Sequence, residues 1–311
     1  MNSAVTYDGT IYTISYKSGA SYNIVQAYSV STNTWSQVSY TGTFGLKGGY
    51  AFVLYNAYIY TIGGYDNYAS APSSEVVKYD INTATFSLVD CTGSFPSRYA
   101  HTATLYGSKI IVIGGASSTY SPSAVYVLDI TYSTWTTLPT IGGSFYARVD
   151  HSATLVGNTI YVIGGYSGSV NLNEVWSLDL VTNGWNNIAY TGTFSARTQH
   201  SAAAYGNNIY VIGGWDASVP IDAVSYFNVL TNTWSSIPYV NPSPLRFQHA
   251  MIQINGVFYI FGGRNAGNDV ELTDLATFSI PGNKNITTTT TTTNTNNNTT
   301  TTTINNNTTL S

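Results

Sequence analysis

Arg98, Arg148, Arg197 and Arg246 each stand three residues ahead of a histidine, His101, His151, His200 and His249. Four imidazoles at equivalent positions are a ligand set from which a metal centre could be built, if the rings converged on one axis. No carboxylate recurs beside them to orient the rings, so they are read as scaffold, the arginines as loop anchors, and no metal or other cofactor is expected. Phe44, Phe95, Phe145 and Phe194 lie three residues before Lys47 or one of those arginines and join the same packing device. General acid/base chemistry has little to draw on, because the glutamates are Glu75, Glu174 and Glu271 alone. Cys91 is the single cysteine, which excludes an intramolecular disulfide and a cysteine-rich metal cluster and leaves a structural thiol. No catalytic residue is assigned.

The elements that position these residues recur. Glycine pairs end apolar runs at Gly63-Gly64, Gly114-Gly115, Gly164-Gly165, Gly213-Gly214 and Gly262-Gly263, at spacings of 51, 50, 49 and 49 residues. Each histidine, or Tyr50 in the first of the five, lies 13 residues before its pair. Ser15-Tyr16 occupies the pair's place after "IYTI", with Asn2 in the histidine slot, which makes six units with a degenerate first. A period near 50 with strand-like runs and no helical periodicity points to a solenoid, a propeller or an array of β units. Each unit offers four short strands, as in "SATLV", "TIYVIGG", "EVWSLDL" and "WNNIA". Small residues in the first strand suit a crowded axis, whereas Trp35, Phe86, Trp135, Trp185 and Trp234 suit an outer strand.

Apolar run, glycine pair, then Tyr/Leu-Asp and Trp at fixed offsets ("VLDITYSTW", "SLDLVTNGW") resemble the kelch repeat over residues 2 to about 280. The resemblance implies an all-β fold, a six-bladed kelch-type β-propeller with four antiparallel strands, A to D, in each blade. Residues 1–281 are assigned to it and 282–311, almost all Thr and Asn, to a disordered low-complexity tail. The first unit is expected to be complete in itself. The sixth is short, with "DVELTDL" as its third strand, "TFSI" as its fourth and Phe278 or Ile280 replacing the tryptophan.

Strand parity sends the AB and CD turns to one face and the BC and DA segments to the other. The AB and CD turns are short and uniform, while "YDNYASAPSS", "ASSTYSPSA", "YSGSVNLN" and "WDASVPID" vary, so binding is expected on the BC/DA face. The residue after each glycine pair changes from unit to unit: Lys17, Tyr65, Tyr166, Trp215 and Arg264, with Ala116 between. With Asp66, Tyr68, Tyr120, Tyr146 and Asp216 these form the expected partner-binding set, rich in the side chains that dominate interface hot spots.

The partner expected is a protein captured by a monomeric, non-catalytic binding module or scaffold. The second reading is a glycan-binding or sugar-modifying propeller, because galactose oxidases and sialic-acid epimerases also carry kelch blades. The copper site implied by the oxidases needs a cysteine thioether for which Cys91 has no paired ligand motif, and nothing singles out an epimerase acid/base pair.

Composition narrows the partners further. With 8% charged residues, 10 Lys plus Arg and a formal net charge of −4, the chain lacks a basic surface for nucleic acid. No apolar run reaches the roughly 18 residues that span a bilayer, and the opening residues lack a signal-like pattern, so a cytoplasmic chain without membrane contact is expected. The acceptor tripeptides at Asn285, Asn297, Asn298, Asn306 and Asn307 are accordingly read as low-complexity drift.

Overall fold

A computed structural model describes residues 4–16, 23–45, 47–117, 123–143, 145–221, 223–237, 245–265 and 274–280, and the backbone of 287–293 and 299–305. Every regular element among them is a β-strand. The chain divides into two compact units, Met1–Ile188 and Ala189–Ser311.

The first unit holds four antiparallel blades of four strands. They are Ala4–Tyr7, Thr10–Tyr16, Asn23–Ser29 and Thr34–Val38; then Ala51–Tyr55, Tyr58–Ile62, Val76–Asp80 and Thr85–Leu88. Next come Thr102–Tyr106, Lys109–Ile113, Val125–Asp129 and Thr134–Leu138; then Ser152–Val156, Thr159–Ile163, Val175–Asp179 and Gly184–Asn187. Their first strands lie side by side, each against that of the next blade.

Apolar packing runs between blades. Ile110 and Val112 pack towards Val53, Ile62 and Val76 of the preceding blade, while Ile111 and Ile113 pack towards Phe145, Ile160 and Val162 of the following one. A strand buried on both faces has no solvent side, which is why "IIVI" is apolar throughout. The outer aromatics complete each layer. Trp135 stacks on Phe95 at 4.0 Å and Trp185 on Phe145 at 4.1 Å, and both are buried. Burying such a side chain is worth on the order of 2–3 kcal/mol. Trp35 rests on Tyr28 at 5.1 Å and stays 37% exposed.

The second unit holds a blade of Ser201–Tyr205, Asn208–Ile212, Val224–Asn228 and Thr233–Ile237, with Trp234 stacked on Phe194 at 4.0 Å. Its last blade differs from the expected one. Ala250–Ile254 and Val257–Phe261 are followed by Leu275–Ser279, whose Phe278 faces Phe258 across the ladder. "TFSI" therefore enters the third strand, not the fourth, and most of "DVELTDL" lies outside the described residues.

Beyond that strand come Thr287–Thr293, joined to it through Leu275↔Thr291, and Thr299–Asn305, paired with Thr287–Thr293. These two stretches form an antiparallel hairpin. Threonine is β-branched and favours extended backbone, and the open edge of a third strand offers unpaired N–H and C=O groups.

Candidate functional site

The BC and DA segments meet at the residue that follows each glycine pair. Tyr65 pairs with Gly48, Ala116 with Tyr99, Tyr166 with Val149, Trp215 with Thr198 and Arg264 with Phe247. In every case the partner stands two residues before the histidine or Tyr50. The backbone position is fixed by this short ladder, and only the side chain changes.

A buried cation lies beneath each ladder. Arg98, Arg148, Arg197 and Arg246 donate from Nη1 to the carbonyls of Gly114, Gly164, Gly213 and Gly262 at 3.0–3.1 Å. Arg98, Arg148 and Arg197 lie over Phe95, Phe145 and Phe194, the last at 4.6 Å. These contacts give the arginines the anchoring role expected of them.

Their charge compensation differs. Arg148 Nη2 donates to Glu174 at 2.8 Å, Arg246 Nη2 to Asp274 at 2.9 Å, and Lys47 pairs with Glu75. In the other two blades that acidic slot holds Ala124 and Ala223. Arg197 Nη2 turns to Ser195 Oγ at 2.8 Å, and Arg98 lies 4.4 Å from the Tyr126 ring centroid. Burial outweighs the nearby charge of Asp216 and lowers the pKa of Arg197 to about 10. Glu174 is held below the usual carboxylate range by Arg148 and the Trp176 indole, against the opposing effect of its partial burial.

All four histidines are buried, and His101 and His249 are held neutral. Desolvation, reinforced by Arg98 or Arg246, lowers His101 and His249 to about 3. His151 Nε2 meets Thr102 Oγ1 at 3.0 Å and His249 Nε2 meets Ser201 Oγ at 2.5 Å. The equivalent position before His101 is Ala51, and neither nitrogen of His101 has an aligned hydrogen bond. Among the described residues no three His, Cys, Asp or Glu side chains come together as a metal site.

Each glycine of a pair makes room for a different neighbour. A Cβ on Gly114 would stand 2.6 Å from His151 Cε1 in the next blade, and one on Gly115 would stand 2.8 Å from His101 Cβ in its own. Both have positive φ, +66° and +92°, so the pair is required by conformation and by space.

The structure brings some of the expected binding residues together. In the first unit Tyr65 meets Tyr99 edge-on at 5.4 Å and shares its loop with Asp66 and Tyr68, the latter 69% exposed. Tyr146 is 62% exposed and lies in the segment whose Val149 pairs with Tyr166. In the second unit Trp215 packs on Phe247 at 5.2 Å, and Phe247 is the ladder partner of Arg264, so these three form one cluster. Asp66 and Asp216 spend Oδ1 on their own loops, accepting from the backbone N–H groups two and three residues on, at 2.8–2.9 Å. Lys17 and Tyr120 lie outside the described residues.

Two features escape a search for chemistry-bearing letters. Gly49, Ala100, Asp150, Gln199 and Gln248, each just before the histidine or Tyr50, all have φ between +54° and +63°. They are chained by backbone: Ala100 N donates to Gly49 O at 2.7 Å, Asp150 N to Ala100 O at 3.1 Å, and Gln248 N to Gln199 O at 2.9 Å. Their side chains vary, so only the common offset signals them.

The second feature is Thr-Gly or Ile-Gly in the DA segment. Thr41, Thr92, Ile141 and Thr191 clasp the first residues of the next blade's outer strand in parallel bridges, at Thr85, Thr134, Gly184 and Thr233. The phrases "TGTF", "TGSF" and "IGGSF" carry the signal.

Repeated four-stranded blades, a glycine pair closing the second strand of every blade after the first and a variable residue seated after it define a kelch-type β-propeller, a class of protein-interaction module. A sequence model of the KLHDC2/KLHL20/DRC7 Kelch-repeats domain matches residues 49–245 and 100–310, and the chain belongs to the kelch-repeat family. Kelch domain-containing protein 3 of Bos taurus and of Mus musculus are each 33% identical over 103 residues, and that of Homo sapiens 32%. Each match covers 32% of this chain and 27% of the relative, so the chain spans about a quarter of the relatives it matches. No helix among the described residues is long and apolar enough to cross a membrane.

Proposed function

We propose that this chain is a non-catalytic binding module, a single six-bladed propeller of the cytoplasm that captures a segment of a partner protein on its BC/DA face. The observation that carries the reading is the short ladder after each glycine pair. It holds Tyr65, Tyr166, Trp215 and Arg264 at equivalent backbone positions while their chemistry differs. A rigid scaffold presenting variable aromatic and cationic side chains loses little conformational entropy on binding. The two glutamates among the described residues are engaged, Glu75 by Lys47 and Glu174 by Arg148, which supports a non-catalytic role.

The test is affinity capture from lysate with the native chain and with Trp215→Ala plus Tyr166→Ala. Partners held by the native chain should be lost from the double variant, and full retention of every partner refutes the assignment of the face. A second reading, glycan binding, is favoured by the Tyr65–Tyr99 and Trp215–Phe247 aromatic pairs on a surface of low charge. A glycan-array signal competed by free sugar would select it.

A further inference from the structure

The last blade of the second unit ends on an open sheet edge made almost wholly of threonine. Outward from Leu275–Ser279 lie Thr287–Thr293 and then Thr299–Asn305, and among the described residues the final strand is paired on one side only. The outer strands of the other five blades are four or five residues long, and in the second to fifth blades a bridge from the preceding segment clasps the first residue of the strand. Thr299–Asn305 has seven residues, and its register with Thr287–Thr293 runs without a bulge from Thr287↔Asn305 to Thr293↔Thr299.

Exposed edges are ordinarily guarded by lysine, proline, a bulge or a covering loop. From Asn285 to Ser311 the sequence contains no Asp, Glu, Lys, Arg or Pro. The occupant that fits such an edge is shown by the hairpin itself, in which one threonine tract pairs with another over seven consecutive positions. The tract is self-complementary in antiparallel register, and it carries no charge to repel a second copy.

We propose that Thr299–Asn305 is a self-association site, pairing antiparallel with the same strand of a second copy of this chain. Backbone N–H and C=O groups supply the contacts and β-branched threonine supplies the extended conformation. The pairing consumes both free edges, so it closes at two chains. It replaces the monomer expected from the sequence and is independent of the loop-face reading, since it uses a different blade edge.

The test is sedimentation equilibrium of the full chain over a hundredfold concentration range, with near-UV circular dichroism as the check on folding. The native chain should pass from one-chain to two-chain mass. Thr300→Lys plus Thr302→Lys should move that midpoint at least tenfold higher in concentration, and Thr300→Val plus Thr302→Val should leave it within threefold. A native chain that stays monomeric throughout, a lysine variant that associates as the native does, or growth beyond two chains into open fibrils would each overturn the proposal.

Discussion

Acidification should destabilise this protein well before its carboxylates titrate. His101 and His249 have native pKa values of about 3, lowered by burial and by the neighbouring Arg98 and Arg246, against about 6.5 in an unfolded chain. A base whose folded pKa is depressed contributes stability that is fully present above the unfolded value and is lost as pH falls towards the folded one. Between pH 7 and pH 5 the unfolded state gains about 0.7 proton at each histidine that the native state refuses, which integrates to a loss of about 2 kcal/mol per ring and about 4 kcal/mol for the two.

Set against a typical total of about 5–15 kcal/mol, that is a large share. Glu174, Asp179 and Asp216, the carboxylates with lowered pKa, lose their contribution only nearer pH 4, so the interval from pH 7 to pH 5 belongs to the histidines. Urea unfolding followed by tryptophan fluorescence at pH 7, 6 and 5 measures the slope. Stability constant within about 1 kcal/mol across that interval would refute the claim that these rings are buried as neutral groups.

Two substitutions probe the blade geometry. Gly93→Ala introduces a Cβ 2.2 Å from the Trp135 carbonyl oxygen at φ +80°, and should cost about 3 kcal/mol or more; Gly107→Ala, at φ +61° with open space around it, should cost only about 1 kcal/mol. Comparison of the two urea midpoints separates steric crowding from backbone strain. Ala51→Ser places a hydroxyl where Thr102 and Ser201 satisfy the histidines of later blades, and should raise stability by about 0.5–1.5 kcal/mol, read as an increase in Tm. An unchanged or lower Tm would mean that no serine rotamer reaches His101.

The repeat was legible because its physics is local and is written at fixed offsets. Gly114-Gly115 needs positive φ and space for a histidine in each direction, and five pairs in register announce the fold. The alternation that buries Ile110 and Val112 against one neighbour and Ile111 and Ile113 against the other is visible as an unbroken apolar run. The anchoring role of the arginines was likewise readable from their constant distance to the histidines.

The tertiary structure decided what each recurring letter touches. Glu75, Glu174 and Asp274 bond directly to three buried cations, while Ala124 and Ala223 leave Arg98 beside the Tyr126 ring and Arg197 bonded to the Ser195 hydroxyl, with Asp216 acting on Arg197 only through its charge; a carboxylate 26 or 28 residues from its cation has no local signature. Asp66 and Asp216 were recognisable as loop-face residues, but only the fold shows that each secures its own turn through Oδ1. The threonine tract reads by composition as too polar to pack. Its pairing with Leu275–Ser279 depends on a strand edge that exists only once the last blade has formed.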